Sequence, residues 1–113
     1  MRALGSLTVI FAFCCYVPLA IAAEDSVTIT SPADGAMLNM AEQARIDYEV
    51  TRGPNGDHTH LYVDGKEKKV LRQLKGSHKL DPLEPGKHEI CIKLVNKGHT
   101  PIGVQQCINV SVK

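Results

Sequence analysis

The ten residues Gly56-Asp57-His58-Thr59-His60-Leu61-Tyr62-Val63-Asp64-Gly65 leave the chain little choice of local structure. Residues from His58 to Val63 are rich in β-branched and aromatic types, and Asp64-Gly65 is a dipeptide that closes tight hairpin turns. A strand over His58 to Val63 puts Thr59, Leu61 and Val63 on one face and His58, His60 and Tyr62 on the other, because successive side chains of a strand point to opposite sides. Two imidazoles then share one face. That is the simplest way for a sheet to offer two nitrogen donors to one metal ion, although the same pattern also serves as the polar solvent face of an ordinary strand.

The rest of the chain repeats the period of two. Val27 to Thr30 alternates and is closed by Ser31-Pro32-Ala33-Asp34-Gly35, a turn signal after which the chain kinks before Ala36 to Met40. Ala44 to Val50 alternates with Ala44, Ile46, Tyr48 and Val50 inward, and Gly53-Pro54-Asn55-Gly56 marks the loop that leads to His58. The segment from Glu67 to Leu74 fits an edge strand better than a helical turn, since it is short and lies between two glycine-containing turns. A short strand is expected over Ser77 to Leu80. After the corner Leu83-Glu84-Pro85-Gly86 come two longer strands, Glu89 to Val95 with Ile90, Ile92 and Leu94 inward, and Val104 to Val112 with Gln106, Ile108, Val110 and Val112 on one face. About seven short strands and no convincing helix predict an all-β fold, an immunoglobulin-like β-sandwich.

The start of the chain reads differently. Arg2 followed by the mostly apolar run Leu4 to Ile21 and the small residues Ala20, Ala22 and Ala23 has the layout of a secretory signal over residues 1–23, with cleavage after Ala22 or Ala23. The alternative is an uncleaved membrane anchor, because the run is as long as a short span. With cleavage the folded part is a single domain over residues 24–113, periplasmic or secreted, with no other membrane segment. The whole chain carries 13 Lys and Arg against 12 Asp and Glu, so loss of Arg2 leaves the two signs equal. No basic field is left to hold nucleic acid. Cys14 and Cys15 depart with the signal, and Cys91 and Cys107 remain in an exported chain, which favours a disulfide. If the last two strands pair antiparallel about His99, residues equidistant from it face one another, and Cys91 and Cys107 each stand eight positions away. A domain this small gains from such a cross-link.

In a seven-strand sandwich, the loop before His58, the loop holding His99 and the connection before His78 gather at one end. The expected metal ligands are therefore His58, His60 and His99, with His78 as the fourth candidate. Imidazole donors suit Cu(II) or Zn(II) rather than calcium or magnesium. Asp57 or Tyr62 could add an oxygen ligand or orient an imidazole. His88, after Pro85-Gly86, belongs to the other end and is expected in a structural role, its ring bonded back to the backbone. Met37 and Met40 have the spacing of a soft Cu(I) pair, and equally that of core packing. No nucleophile elbow, phosphate loop or free thiol is present, so no enzyme is expected.

Three segments taken together carry a resemblance: Ser31-Pro32-Ala33-Asp34-Gly35-Ala36, the stretch from Gly56 to Gly65, and Leu83-x-Pro85-Gly86-x-His88 running on to Leu94-Val95-Asn96-Lys97-Gly98-His99-Thr100-Pro101. The chain resembles small secreted bacterial immunoglobulin-like domains with a His-x-His-x-x-x-Asp-Gly strand and a Leu-Val-Asn-x-x-His-Thr-Pro loop. That resemblance implies a periplasmic or secreted β-sandwich and groups His58, His60, His88 and His99 as a set, without supplying an activity. A narrower similarity, to the His-x-His strand of copper-zinc superoxide dismutases, ends at that strand. The leading expectation is a periplasmic metal-binding protein, for copper before zinc, that buffers or delivers the ion. The rival is a non-catalytic accessory domain that docks another envelope protein through its edges or end loops.

Overall fold

The computed structural model describes Gly5 and residues 24–113; apart from Gly5, the expected export signal lies outside the described residues. Eight strands form: β1 (Ser26–Ser31), β2 (Met37–Leu38), β3 (Arg45–Thr51), β4 (His58–Val63), β5 (Lys66–Leu71), β6 (Lys75–Lys79), β7 (Gly86–Val95) and β8 (Pro101–Val112). They make two sheets, ordered β1-β3-β6 and β2-β8-β7-β4-β5. None of the described residues is helical. The alternating positions do what their period requires. Ile46, Tyr48 and Val50 of β3, Leu61 of β4, Ile90, Ile92 and Leu94 of β7, and Ile108 and Val110 of β8 meet in one core cluster. Each fully buried aliphatic side chain stabilises the sandwich by roughly 1.5 to 3 kcal/mol.

Strand ends shift by a few residues throughout, and β2 and β6 differ most from the sequence reading. The kinked segment after β1 crosses to the other sheet and adds β2 in parallel to β8, with Met37 opposite Ser111. Backbone bonds from Gly35 to Asn109 and from Ser111 to Ala36 hold this crossing, and they supply the strand that the alternation alone did not reveal. β6 begins two residues earlier than expected, at Lys75. The lysine-rich β5 is an edge strand paired only with β4. Charge along such an edge discourages pairing with another chain. β7 and β8 pair in the register that the His99 loop implies, Cys91 opposite Cys107, and the two sulfurs are bonded at 2.06 Å.

Asp64 and Gly65 both have positive φ, 52° and 81°, which is the backbone of the tight turn joining β4 to β5. The same Asp64 ties this end of the sandwich together. Its Oδ2 accepts from His88 Nδ1 at 2.6 Å, and its Oδ1 accepts from the backbone N–H of Glu89 at 2.9 Å. His88 Nε2 donates to the carbonyl of Glu84 at 2.6 Å. Both ring nitrogens thus face acceptors, and the ring is held as the imidazolium. The bond to Asp64, then that to the Glu84 carbonyl, raises the His88 pKa above its usual value; in return His88 holds the Asp64 carboxyl below the usual carboxylate range.

The pH dependence follows from these directions. A raised histidine pKa stabilises fully below the unfolded value and loses its effect as pH climbs through the folded value. A depressed carboxyl pKa stabilises above its unfolded value and loses its effect as pH falls through the folded one. The pair is therefore at full strength between about pH 4 and 6.5 and fades at higher pH. Asp64 is half exposed, so screening keeps the effect near 1 kcal/mol. Denaturant unfolding of wild type and His88→Gln across pH 5 to 9 should show a stability difference of about that size at pH 6 that shrinks at pH 9. A difference independent of pH would contradict the charged pairing.

Candidate metal centre

β4 carries His58 and His60 on the outer face of the five-stranded sheet, opposite Val95 and Lys93 of β7. Both are nonetheless only 3% exposed, whereas the other imidazole of the group, His99 on the β7–β8 loop, is exposed. The three rings converge through single nitrogens. His58 Nε2 lies 3.0 Å from His60 Nε2 and 3.1 Å from His99 Nδ1, and His60 Nε2 lies 3.0 Å from His99 Nδ1. Among the described residues, no further His, Cys, Asp or Glu joins these three donors.

Two loops set this geometry. In the first, the Asp25 carboxylate accepts from the backbone N–H of Gly53, Asp57 N–H donates to the carbonyl of Val95 at 2.8 Å, and Arg52 donates to the Asp57 carbonyl at 3.2 Å. A Cβ on Gly56 would come within 2.7 Å of both Asp25 and Leu94, so only glycine lets the loop lie this close. In the second, Asn96 braces the turn: its Oδ1 accepts from Thr100 N–H at 3.0 Å and its backbone carbonyl from His99 N–H at 3.0 Å. His99 itself has φ 63°, a left-handed conformation that histidine tolerates better than most residues. That backbone turns its ring toward β4.

The outer nitrogens of the strand pair face carboxylates. His58 Nδ1 donates to Asp57 Oδ2 at 2.8 Å. Glu67 Oε1 stands 3.1 Å from His60 Nδ1, but off the N–H direction, so Nδ1 lacks a hydrogen bond. With the proton on Nδ1, each Nε2 turns a lone pair inward. Burial pushes the His60 pKa down against the opposing pull of Glu67, with His58, His99 and Arg72 adding to the depression. The ring is thus kept in the neutral form that binds metals. The hydrogen bond from His58 holds the Asp57 carboxyl below the ordinary range. A carboxylate behind an imidazole orients it and raises its basicity, and its loss typically weakens metal binding 10- to 100-fold. Asp57→Ala should lower Cu(II) affinity by about that factor in a chelator competition, with the unfolding curve unchanged. Unaltered affinity would remove Asp57 from the site.

The other sequence candidates fall elsewhere. His78 does not join the trio: it lies opposite Ile46, far along β6, and lines a cavity of about 240 Å³ at the other end with Asp64, Leu80 and His88. The early start of β6 is the reason, since it carries position 78 three residues away from the β5–β6 connection. Met37 and Met40 are exposed beside the far end of β8, so core packing does not explain their spacing, and they stand apart from the trio. Tyr62 is 6.5 Å from His60 between ring centres and has Lys93 Nζ 4.4 Å above it. Glu89 sits beside Cys91 and Cys107, but those sulfurs are bonded to each other. Asn96 stood in the loop motif without a role, and Glu67 was not legible in the sequence. Glu67 reaches the outer face through a bulge that shifts the β4–β5 register between Leu61 and Tyr62, and no local signal announces it.

No protein-family model and no curated protein matches the sequence. Solved structures share the fold. A fibronectin(III)-like module of Clostridium thermocellum CbhA superposes with a TM-score of 0.65 at 17% identity, over 77% of this chain and 96% of that one. A CARDB domain from Pyrococcus furiosus, solved in complex with di-metal ions, gives 0.51 at 15% identity over 82% and 90%. A lytic polysaccharide monooxygenase of Jonesia denitrificans gives 0.52 at 18% identity over 73% of this chain and 60% of that one. At such identities the likeness is one of architecture. The chain is similar to fibronectin(III)-like and other immunoglobulin-like domains, and it carries a three-histidine group that could hold a metal ion.

Proposed function

We propose that the protein is an exported copper-binding module that takes up Cu(II) on His58, His60 and His99 and releases it again, as a buffer or carrier. One observation carries this reading. Three ring nitrogens stand 3.0 to 3.1 Å apart, two of them on buried rings whose other nitrogen faces a carboxylate. Unprotonated nitrogens gathered this closely repel one another, and a proton or a metal ion between them relieves that repulsion. Nitrogen-only ligation suits Cu(II) ahead of other abundant divalent ions in the affinity order, with Zn(II) as its competitor. Reversibility follows from position, because the site lies on the outside of a sheet whose core is complete without it and His99 is exposed. The copper-loaded protein is expected to surrender its ion to a stronger chelator within minutes, with its β circular-dichroism spectrum unchanged. Unfolding on copper removal would instead make the ion a structural staple.

A second reading has its own observation. At the opposite end, Leu38, Met40, Ala44, Leu80, Leu83 and Val112 line an apolar groove of about 360 Å³, with Met37 and Met40 more than half exposed. Such a patch suits contact with another envelope protein, in which case the domain would be an accessory module. A complex with an envelope protein that survives chelator and is lost in Met40→Glu would favour it over the copper reading.

A further inference from the structure

The nitrogen triangle limits what geometry a bound ion can have. With imidazole–metal distances of about 2.0 Å, donors 3.0 to 3.1 Å apart cannot lie in a plane around the ion. The ion must sit about 1 Å out of the nitrogen plane, with N–metal–N angles near 95 to 100°. Three ligands then cap one face, and the opposite face has no donor from any His, Cys, Asp or Glu among the described residues. Resting on the copper reading above, we propose that the loaded site is a receptor for a small free anion, a carboxylate or oxyanion, that coordinates the ion on this uncapped face.

Charge favours an anion there over water alone. The ligands are neutral imidazoles, so nothing in the first ring of donors cancels the charge of a dication. Of the two carboxylates behind them, Asp57 has two cations near it. Arg72 Nη1 lies 3.9 Å from Asp57 Oδ2, and Lys97 shares with Asp57 a cleft of about 350 Å³ between the two loops that carry the site. Pro54, Asn55, Gly56, Asn96 and Gly98 line that cleft as well, the chain neighbours of His58 and His99 rather than the rings themselves. The remaining positive charge is that of the ion itself.

The test uses the disulfide-intact protein loaded with one equivalent of Cu(II), and azide as the probe. Loading is first read from the copper d–d absorption. Azide should then produce an intense ligand-to-copper charge-transfer band that saturates at one azide per copper, and acetate should displace it. In the variant carrying Arg72→Ala and Lys97→Ala, brought to full copper loading by the same absorption, azide should bind about 2- to 10-fold more weakly per loaded copper at low salt. Copper that loads but develops no azide band overturns the uncapped face, and equal azide affinity in the double variant overturns the role of the two cations. A protein that never shows the d–d band overturns the copper reading itself, before any azide is added.

Discussion

His60→Ala should abolish tight copper binding while leaving the domain folded. Loss of a carboxylate behind a ligand costs about 10- to 100-fold, so removal of the ligand itself should exceed 100-fold in a competition titration. His58 and His99 alone hold two nitrogens 3.1 Å apart, too few to retain a borderline ion against a chelator. Stability should change little, because His60 lies on the outer sheet face, outside the cluster built by Leu61, Ile92 and Leu94. Its Nδ1 is also the one buried side-chain polar atom among the described residues without a hydrogen bond, so truncation removes an unmet demand. A thermal scan and a copper competition on the same sample separate the two effects. If His60→Ala binds copper as the wild type does, the trio is not the site.

The double substitution Cys91→Ser with Cys107→Ser should produce the largest loss of stability. The bond joins β7 to β8 across a separation of 16 residues. In the chain-entropy account, a loop of that length is worth about 3 kcal/mol, and in a small domain this corresponds to a fall in Tm of about 10 to 20 °C. The consequence for copper should be small. Cys91 faces Tyr62, beyond His60 along β4, and the β7–β8 ladder continues from Lys93 to Val95 without the sulfurs. Affinity measured well below the new Tm should stay within a few-fold of wild type. A variant with unchanged Tm would mean that the last hairpin is equally constrained in the unfolded chain, and the entropic account would fail.

How far this could be read ahead depended on locality. β4, β7 and β8 follow from the period of two, and the Cys91–Cys107 register from pairing about His99, because each is a short-range pattern with few competing solutions. The same logic brought His58, His60 and His99 to one end. It failed where position depends on where a strand begins or which edge it joins. β6 starts at Lys75 and carries His78 away, β2 crosses to the edge of β8, and a single bulge swings Glu67 toward His60. A shift of one or two residues reverses or displaces a side chain in a strand, and nothing in the immediate neighbours of His78 or Glu67 encodes it.

Electron paramagnetic resonance of the protein titrated with Cu(II) decides whether three imidazoles form one copper site. A single type of signal should saturate at one equivalent, with hyperfine structure from three nitrogen ligands, and be lost in His99→Ala as well as His60→Ala. Signals that grow without saturation, or a hyperfine pattern untouched by either substitution, would place the copper elsewhere and leave His58, His60 and His99 without the role proposed for them.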